Sequence, residues 1–312
     1  MPLDPQLAAL LKTAGNQPPP AGLNDLRARL EANAVALPGR DVDLGKARTI
    51  EFQGPNGPIA ARLYKPRGLS KPPLTVYYHG GGFVAGSLDT HEGACREMAA
   101  NANTAVLSVD YRLAPEHPFP AGLEDAYCAL IWASSNTSAL GVDGARLAVA
   151  GDSAGATIAL VTAIRARAES GPVLNAQLLF YPCADLRDTA YPSRHENAEG
   201  YGLTEAARKM LMAIYAPELG LRNDPRVSPL LEHDLGGLPP TMIVTCQYDP
   251  LRDEGLALAE ALETAGTDLT RRPADGMIHG FINYTAASRA AAAQYDAALQ
   301  WLAGRMGGQP SR

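Results

Sequence analysis

The chain has 312 residues, 46% of them hydrophobic, and a formal net charge of −6. This length and apolar content are enough for one large core, and α/β folds of this size commonly form a single domain. Acidic and basic residues are mixed along the chain, so no basic stripe is available for nucleic acid or for an anionic membrane, and we expect neither as a partner.

Signals for export, membrane insertion and metal binding are not evident in the sequence. Near the N-terminus the longest apolar stretch is LAALL, residues 7–11, which is too short for a signal sequence and has no basic residue before it. No apolar run approaches transmembrane length. The four cysteines are far apart and form no CxxC pair, which predicts neither a zinc site nor a disulfide framework. We therefore expect a cytoplasmic protein with buried, reduced thiols.

The first 45 residues predict two short amphipathic helices, over 5–14 and 24–34, at the periphery of the fold. The prolines of NQPPPAG, residues 16–22, end one helix and precede the next. From Arg48 onward, RTIEF and IAARLY flank GPNG, which predicts two antiparallel strands joined by a turn. We divide the chain accordingly into N-terminal helices (1–45) and a larger domain (46–312).

After this hairpin, apolar runs of strand length alternate with helical patterns. This alternation is typical of an α/β fold, in which a mostly parallel sheet is covered by helices on both faces. The further predicted strands are LTVYY, AVLSV, RLAVA, AQLLFY, TMIVTCQY and the short segment LTRRP. The predicted helices are 89–102, 123–135, 154–169, 251–265 and 287–306.

One interval, between Asp185 and Pro239, breaks the alternation. It is polar, contains prolines and shows one helical pattern, over 204–215, but no strong strand signal. An insertion at this edge of an open sheet is placed to cover a site above the strand ends. We predict that residues of about 185–220, together with the N-terminal helices, form a cap.

The sequence GDSAG, residues 151–155, places Ser153 between an apolar strand and an apolar helix. It satisfies G-x-S-x-G, in which a sharp turn exposes a nucleophilic serine and the flanking glycines leave room for that turn. The alternative is a small-residue turn that only lets the helix pack closely on its strand. We predict that Ser153 is a nucleophile.

A serine nucleophile needs a histidine base and a carboxylate that orients the histidine. Among the histidines after Ser153, His195 and His233 lie in the irregular insertion, whereas His279 lies in a loop before the last helix. Asp249 follows a buried strand and precedes a helix, from where a carboxylate can reach an imidazole. Capping that helix is the alternative role for Asp249, and the two roles are compatible.

The third requirement is a set of N–H donors for an oxyanion. HGGGFVAG, residues 79–86, follows the strand LTVYY, and its glycines Gly80, Gly81 and Gly82 allow backbone N–H groups to turn toward a bound carbonyl. The amide of Ala154, directly after the serine, is a further expected donor. We expect His79 to support this loop through hydrogen bonds to the backbone rather than to act as a second base.

Several motifs together resemble the hormone-sensitive lipase family of α/β-hydrolases, bacterial esterases that share an HGGG box. The matching segments are HGGGF (79–83), DYRLAPEHPFPA (110–121), GDSAG (151–155), DPLRDEG (249–255) and HGF (279–281). They occur in the family's order and spacing, and GDSAG is like the box of the branch named for it. One departure is Ala156, which stands where family members commonly have a glycine.

The resemblance implies the α/β-hydrolase fold with a helical cap, and it implies roles for particular residues. Ser153 would be the nucleophile, Asp249 the orienting acid and His279 the general base. Gly81 and Gly82, with Ala154, would supply the oxyanion donors. From the residues alone, Asp152 and Glu254 are either supporting partners of the site or solvated side chains, and the DYRLAPEHPFPA box is a rigid support for neighbouring loops.

These expectations predict a serine carboxylesterase that hydrolyses short- to medium-chain acyl esters through a covalent acyl-enzyme, without a metal or organic cofactor. A lactonase, a deacetylase or an amidase would use the same triad. A true lipase is disfavoured because the insertion is too polar for a lipid-binding lid. Plant gibberellin receptors resemble the family but lack the histidine base, whereas His279 is present here. A homodimer is left open.

Overall fold

This computed structural model describes residues 1–14 and 20–307. An eight-stranded sheet forms the centre of this part of the chain. The strands are β1 (Arg48–Gly54), β2 (Gly57–Tyr64), β3 (Leu74–Tyr78), β4 (Ala105–Val109), β5 (Leu147–Asp152), β6 (Ala176–Phe180), β7 (Thr241–Tyr248) and β8 (Leu269–Ile278). Their order across the sheet is β1-β2-β4-β3-β5-β6-β7-β8. Because β2 pairs antiparallel with both β1 and β4 and all other pairs are parallel, only β2 runs against the rest. The predicted mostly parallel sheet with an antiparallel start is confirmed.

Helices cover both faces of the sheet. In the described residues they are α1 (Pro5–Ala14), α2 (Leu23–Ala36), α3 (Glu92–Asn101), α4 (Ala121–Ser135), α5 (Thr137–Leu140), α6 (Ala154–Ala168), α7 (Pro192–Glu196), α8 (Glu205–Tyr215), α9 (Arg252–Thr264) and α10 (Arg289–Arg305). The predicted break between the first two helices falls largely on residues 15–19, outside the described residues, as does the end of the chain beyond residue 307.

Helices α3 and α10 begin two or more residues later than predicted, and local hydrogen bonds explain both cases. Before α3, the Ser87 amide donates to Thr90 Oγ1 and the Asp89 amide donates to Ser87 Oγ, so these residues form a turn. Before α10, Ser288 Oγ accepts the Ala291 amide and caps the helix. Hydroxyl side chains compete with the helix for backbone groups in this way, and an apolar pattern does not reveal it.

The central strands divide their side chains between two cores, one on each face of the sheet. In β5, Val149 packs into one core, whereas Ala148 and Ala150 pack into the other. This is the period of two that a strand imposes, and it explains why strands buried on both faces appear as continuous apolar runs. Of the four cysteines, all free thiols, three are buried as predicted, but Cys128 is only partly buried.

Two further parts of the fold, the strand β8 and the interval 185–239, differ from the sequence prediction. Strand β8 continues to Ile278, well beyond the predicted segment LTRRP, and it includes Pro273 because it is an edge strand in which one side needs no partner. The interval 185–239 contains no strand, as predicted, but it contains the short helix α7 as well as the predicted α8. In the described part of the chain, no helix combines the length and the apolar character needed to cross a membrane.

Candidate active site

Ser153 lies at the sharp turn between β5 and α6. Its φ of 54° and ψ of −122° are rare for a residue with a side chain, and such strain persists only where the surroundings enforce it. The turn is tight because α6 begins directly at Ala154: a Cβ at Gly155 would overlap the main-chain oxygen of Tyr78. The Ser153 amide donates to the Phe180 carbonyl at 2.9 Å, which ties the turn to the end of β6.

The three side chains predicted to meet do so at the carboxyl ends of β5, β7 and β8. His279 Nε2 lies 2.9 Å from Ser153 Oγ, and His279 Nδ1 lies 2.7 Å from Asp249 Oδ2. A carboxylate only accepts, so Nδ1 carries the proton and Nε2 is free to accept the serine proton. The arrangement can therefore activate the Ser153 hydroxyl. Ser153 and His279 are 126 positions apart in the chain.

The Asp249 carboxylate serves two partners at once. Its Oδ2 faces His279, while its Oδ1 accepts the Leu251 amide at 2.8 Å just before α9. The orienting role and the interaction with the start of the helix, posed as alternatives from the sequence, thus coexist in the geometry. Burial works against a charged His279, but the charge and the hydrogen bond of Asp249 outweigh it, and the pKa of His279 is raised above its ordinary value.

The glycine loop, residues 79–86 after β3, lies next to the Ser153 turn, since a Cβ at Gly80 would stand 3.0 Å from the main-chain oxygen of Asp152. Gly81 and Gly82 both have positive φ, and a Cβ at Gly81 would overlap the main-chain oxygen of Ala85. The Gly81 carbonyl faces the other way and accepts the amides of Val84 and Ala85. Within the described residues, no acceptor bonds to the amides of Gly81, Gly82 or Ala154. These amides therefore remain available as donors, and their role toward an oxyanion stays a prediction.

Asp152 is buried and binds the glycine loop through the Gly80 amide. Its Oδ1 accepts the Gly80 amide at 2.8 Å and the Tyr77 hydroxyl at 2.7 Å, and His91 Nε2 lies 3.2 Å away. Burial would raise the pKa of Asp152, but His91, Tyr77 and Gly80 together lower it. Of the two roles that the sequence left open, the supporting one agrees with these contacts. Sequence reasoning missed Tyr77 and His91, because a strand residue and a helix-preceding histidine carry no motif of their own.

His79 contacts the backbone, not Ser153. Its Nδ1 lies 2.8 Å from the Gly80 carbonyl, and its ring stacks on Tyr111 with the ring centroids 4.4 Å apart. The Tyr111 hydroxyl donates to the His79 carbonyl at 2.6 Å, so the DYRLAPEHPFPA segment does contact the loop that it was expected to support. Burial, assisted by His91, lowers the pKa of His79 to about 3, and the ring is neutral at ordinary pH.

A second buried cluster joins the insertion to the segment that carries Asp249. Glu254 in α9 is fully buried, where Arg194 of α7 donates to its Oε2 at 2.5 Å and the Ala184 amide donates to its Oε1. Glu254 is therefore not solvated. Nearby, Asn197 donates to the Asp249 carbonyl at 3.1 Å, so the residue that directly follows α7 also binds the backbone of Asp249.

Helices α2 and α8 lie against the glycine loop and the segments beside it. Arg27 of α2 donates to the carbonyls of Val84 and Ala114 at 2.8 and 3.1 Å, the first in the glycine loop and the second beyond it. In α8, the Leu211 side chain stands against Gly82. The Phe83 ring stacks on Tyr215 of α8, with centroids 3.9 Å apart. Both elements are therefore fixed to the loop that carries the oxyanion donors.

Comparison with known proteins agrees with this geometry. A profile described as the alpha/beta hydrolase fold matches residues 75–283, which span two thirds of the chain and all three side chains of the Ser153 site. The chain belongs to the hormone-sensitive lipase family of α/β-hydrolases.

Relatives within this family are similar along most of the chain. The esterase LipI of Mycobacterium tuberculosis is 45% identical over 239 residues, covering 75% of this chain and 74% of LipI. An ethyl acetate hydrolase of Pseudomonas putida is 33% identical over 298 residues, covering 90% of this chain and 92% of the relative. The solved structure of a hyperthermophilic esterase from the archaeon Pyrobaculum calidifontis has a TM-score of 0.93 and 38% identity, covering 97% of this chain and 99% of that one.

Proposed function

We propose that this chain is a serine carboxylesterase that cleaves small acyl esters at Ser153. The single observation that carries the proposal is the continuous chain of hydrogen bonds from Ser153 through His279 to Asp249. It is supported by the free amides of the glycine loop and by relatives named as an esterase and an ethyl acetate hydrolase.

In the first half of the reaction, Ser153 Oγ attacks the ester carbonyl carbon while His279 Nε2 takes the hydroxyl proton. The carbonyl oxygen becomes an oxyanion, which the amides of Gly81, Gly82 and Ala154 stabilise. The carbon–oxygen bond to the leaving alcohol then breaks, and His279 gives its proton to that alcohol. Asp249 stabilises the imidazolium during both steps.

In the second half, water attacks the acyl carbon of the Ser153 ester and His279 accepts a proton from that water. The bond to Ser153 Oγ breaks, the oxygen recovers the proton from His279, and a carboxylic acid leaves. All proton transfers thus pass through one nitrogen, His279 Nε2.

Replacement of the nucleophile tests the proposal directly. Ser153→Ala should lower hydrolysis of p-nitrophenyl butyrate by about 10⁶-fold, because the oxyanion amides alone provide only a small residual rate. Ser134→Ala, which removes a serine of α4 away from the site, is the matched control and should keep the parent rate. Activity of Ser153→Ala within tenfold of the parent would refute the assignment. Covalent labelling of Ser153 by an organophosphate is the independent check.

We also propose that residues 1–45 and about 185–220 form the cap of a catalytic domain over 46–312, and that the cap favours short to medium acyl chains. The contact of Leu211 with Gly82 and the stacking of Phe83 on Tyr215 support this, because both Leu211 and Tyr215 belong to α8, within the proposed cap. Rates across p-nitrophenyl esters of increasing acyl length test it: a steady rise toward long chains would contradict it.

A cytoplasmic location is part of the same proposal, supported by four free thiols of which three are buried. Cell fractionation checks it, and activity recovered outside the cytoplasm would contradict it. A homodimer stays a prediction, which light scattering of the purified protein can check.

A further inference from the structure

Tyr181 is a buried aromatic residue that contacts the proposed base. It directly follows β6, is 2% exposed, and has a φ of 38°, which is uncommon for a bulky residue. Its ring lies against the His279 imidazole, with centroids 4.7 Å apart and planes inclined at 56°. The Tyr181 hydroxyl has no hydrogen-bond partner in the described part of the chain, so the contact is made by the ring and not by the hydroxyl.

The surroundings hold this ring in place. The Tyr181 amide donates to the Val244 carbonyl of β7 at 2.7 Å, and the Phe281 ring meets the Tyr181 ring edge-on at 5.8 Å. The preceding carbonyl, that of Phe180, accepts the Ser153 amide. Two consecutive residues at the end of β6 therefore contact the site: Phe180 binds the Ser153 backbone and Tyr181 packs on the His279 ring, and neither takes part in proton transfer.

The need for a fixed ring changes during the proposed reaction. In the free enzyme, two hydrogen bonds hold the imidazole, one to Asp249 and one to Ser153. Once Ser153 Oγ is part of an ester, it has no proton to donate to His279 Nε2, and only the bond to Asp249 remains. A ring held by one hydrogen bond can pivot about it. Nε2 must nevertheless face the incoming water, and small misplacements of a catalytic group are costly.

The geometry points to Tyr181 as a positioning residue that holds the His279 imidazole toward the acyl-enzyme, so that it matters most when water attacks. This inference rests on the proposed esterase mechanism. In that step one water proton moves to His279 Nε2, the water oxygen bonds to the acyl carbon, and the proton then passes to Ser153 Oγ as the acid leaves. Tyr181 exchanges no proton or electron.

The test separates formation of the acyl-enzyme from its hydrolysis. Stopped-flow measurement with p-nitrophenyl acetate gives the first rate as a burst of p-nitrophenol and the second as the steady rate that follows. Tyr181→Leu removes the ring and should slow the steady rate by at least about tenfold while slowing the burst much less. Tyr181→Phe restores the ring without the hydroxyl and should restore both rates.

Tyr64→Leu is the matched control for loss of a buried phenol ring. Tyr64 is 1% exposed on β2, which β4 and β3 separate from β5, so its loss affects the core and not the His279 environment. We expect this control to keep the ratio of burst to steady rate. If Tyr181→Leu does not fold, Tyr181→Met, whose longer and more flexible side chain adapts to the vacated space without a ring, replaces it under the same criteria.

Three results would overturn the inference: a parent-like ratio of the two rates in the ring-less variant, an equal change in Tyr64→Leu, or no recovery in Tyr181→Phe. Charged groups do not confound the comparison, because the carboxylates that act on His279, those of Asp249, Asp152 and Glu254, are unchanged in every variant. Organophosphate labelling separates the two proposals. Unlabelled Ser153 in the parent defeats the proposed function, whereas a labelled parent with normal deacylation in Tyr181→Leu defeats only the role of Tyr181.

Discussion

At the scale of single residues, His279 is set between two opposing influences. Burial favours its neutral form, and the Asp249 carboxylate at 2.7 Å favours its charged form and prevails, so that the pKa of His279 lies above the ordinary value of 6.5. A base must be neutral to accept a proton. Activity should therefore be lost as the pH falls through this raised pKa, with full activity on the alkaline side.

Asp249→Asn tests this balance. Without the carboxylate, the attraction that raises the pKa of His279 disappears and Nδ1 loses the acceptor that fixes its proton, so we expect kcat to fall by about 10³- to 10⁴-fold. As the pH is lowered, the residual activity of the variant should fall at a lower pH than the activity of the parent does, because the pKa of His279 is then lower. Profiles of kcat/KM against pH for both proteins measure the two effects. An unchanged midpoint would show that Asp249 does not act on His279.

Asp152 gives a second prediction at this scale. Its Oδ1 fixes the Gly80 amide, next to the glycines that donate to the oxyanion. In Asp152→Asn, one neutral oxygen replaces the carboxylate and the hydrogen bonds of Tyr77 and His91 weaken, so the loop should lose part of its alignment. We expect kcat to fall by about tenfold with a smaller change in KM. A rise in KM at constant kcat would instead indicate a role in substrate binding.

At the scale of elements, α2 acts on the site through one arginine. Arg27 donates to the Val84 and Ala114 carbonyls and also pairs with Glu116. The Glu116 carboxylate is exposed to solvent, which weakens the ion pair, whereas one of the two carbonyls lies in the glycine loop and the other next to it. The two kinds of contact can therefore be separated by replacing one partner at a time.

Arg27→Ala should raise KM for p-nitrophenyl butyrate several-fold, because α2 loses its attachment to the loop, while Glu116→Ala should stay near the parent. Steady-state kinetics of the two variants measure the difference. Equal effects in both would mean that the ion pair, and not the carbonyl contacts, connects α2 to the site.

The elements also show which features the sequence could predict. The strands β3 to β7 were predictable because residues such as Val149 and Ala150 lie in continuous apolar runs, and Ser153, Asp249 and His279 follow from strand ends and motifs. Helix α7 was not predictable, because Ser193 and Arg194 are polar and their partners, Asp253 and Glu254, are 60 positions away. The length of β8 depends on pairing with β7, which its own polar sequence does not reveal.

At the scale of the whole molecule, the pair of Arg194 and Glu254 links α7 of the insertion to α9, which packs on the sheet. Arg194→Met would leave the Glu254 carboxylate buried without its counter-charge, and we expect a loss of about 3–5 kcal/mol in the free energy of unfolding. The double variant Arg194→Met/Glu254→Gln removes both charges and should recover part of that loss. Urea denaturation of both proteins measures it, and a single variant as stable as the parent would contradict this account.

The neighbouring order of β5, β6, β7 and β8 has a consequence for how such enzymes diversify. The insertion leaves the sheet after β6 and returns at β7, so its length has no influence on the spacing of the strands that bear the reacting groups. Its first part reaches the Asp249 carbonyl through Asn197, and its later part contacts Tyr248 through Tyr201 and the glycine loop through Leu211. A different stretch between Ala198 and Leu238 would thus leave the strand ends in register while changing the side chains that contact Gly82 and Phe83, which would give the same hydrolytic chemistry a different choice of ester.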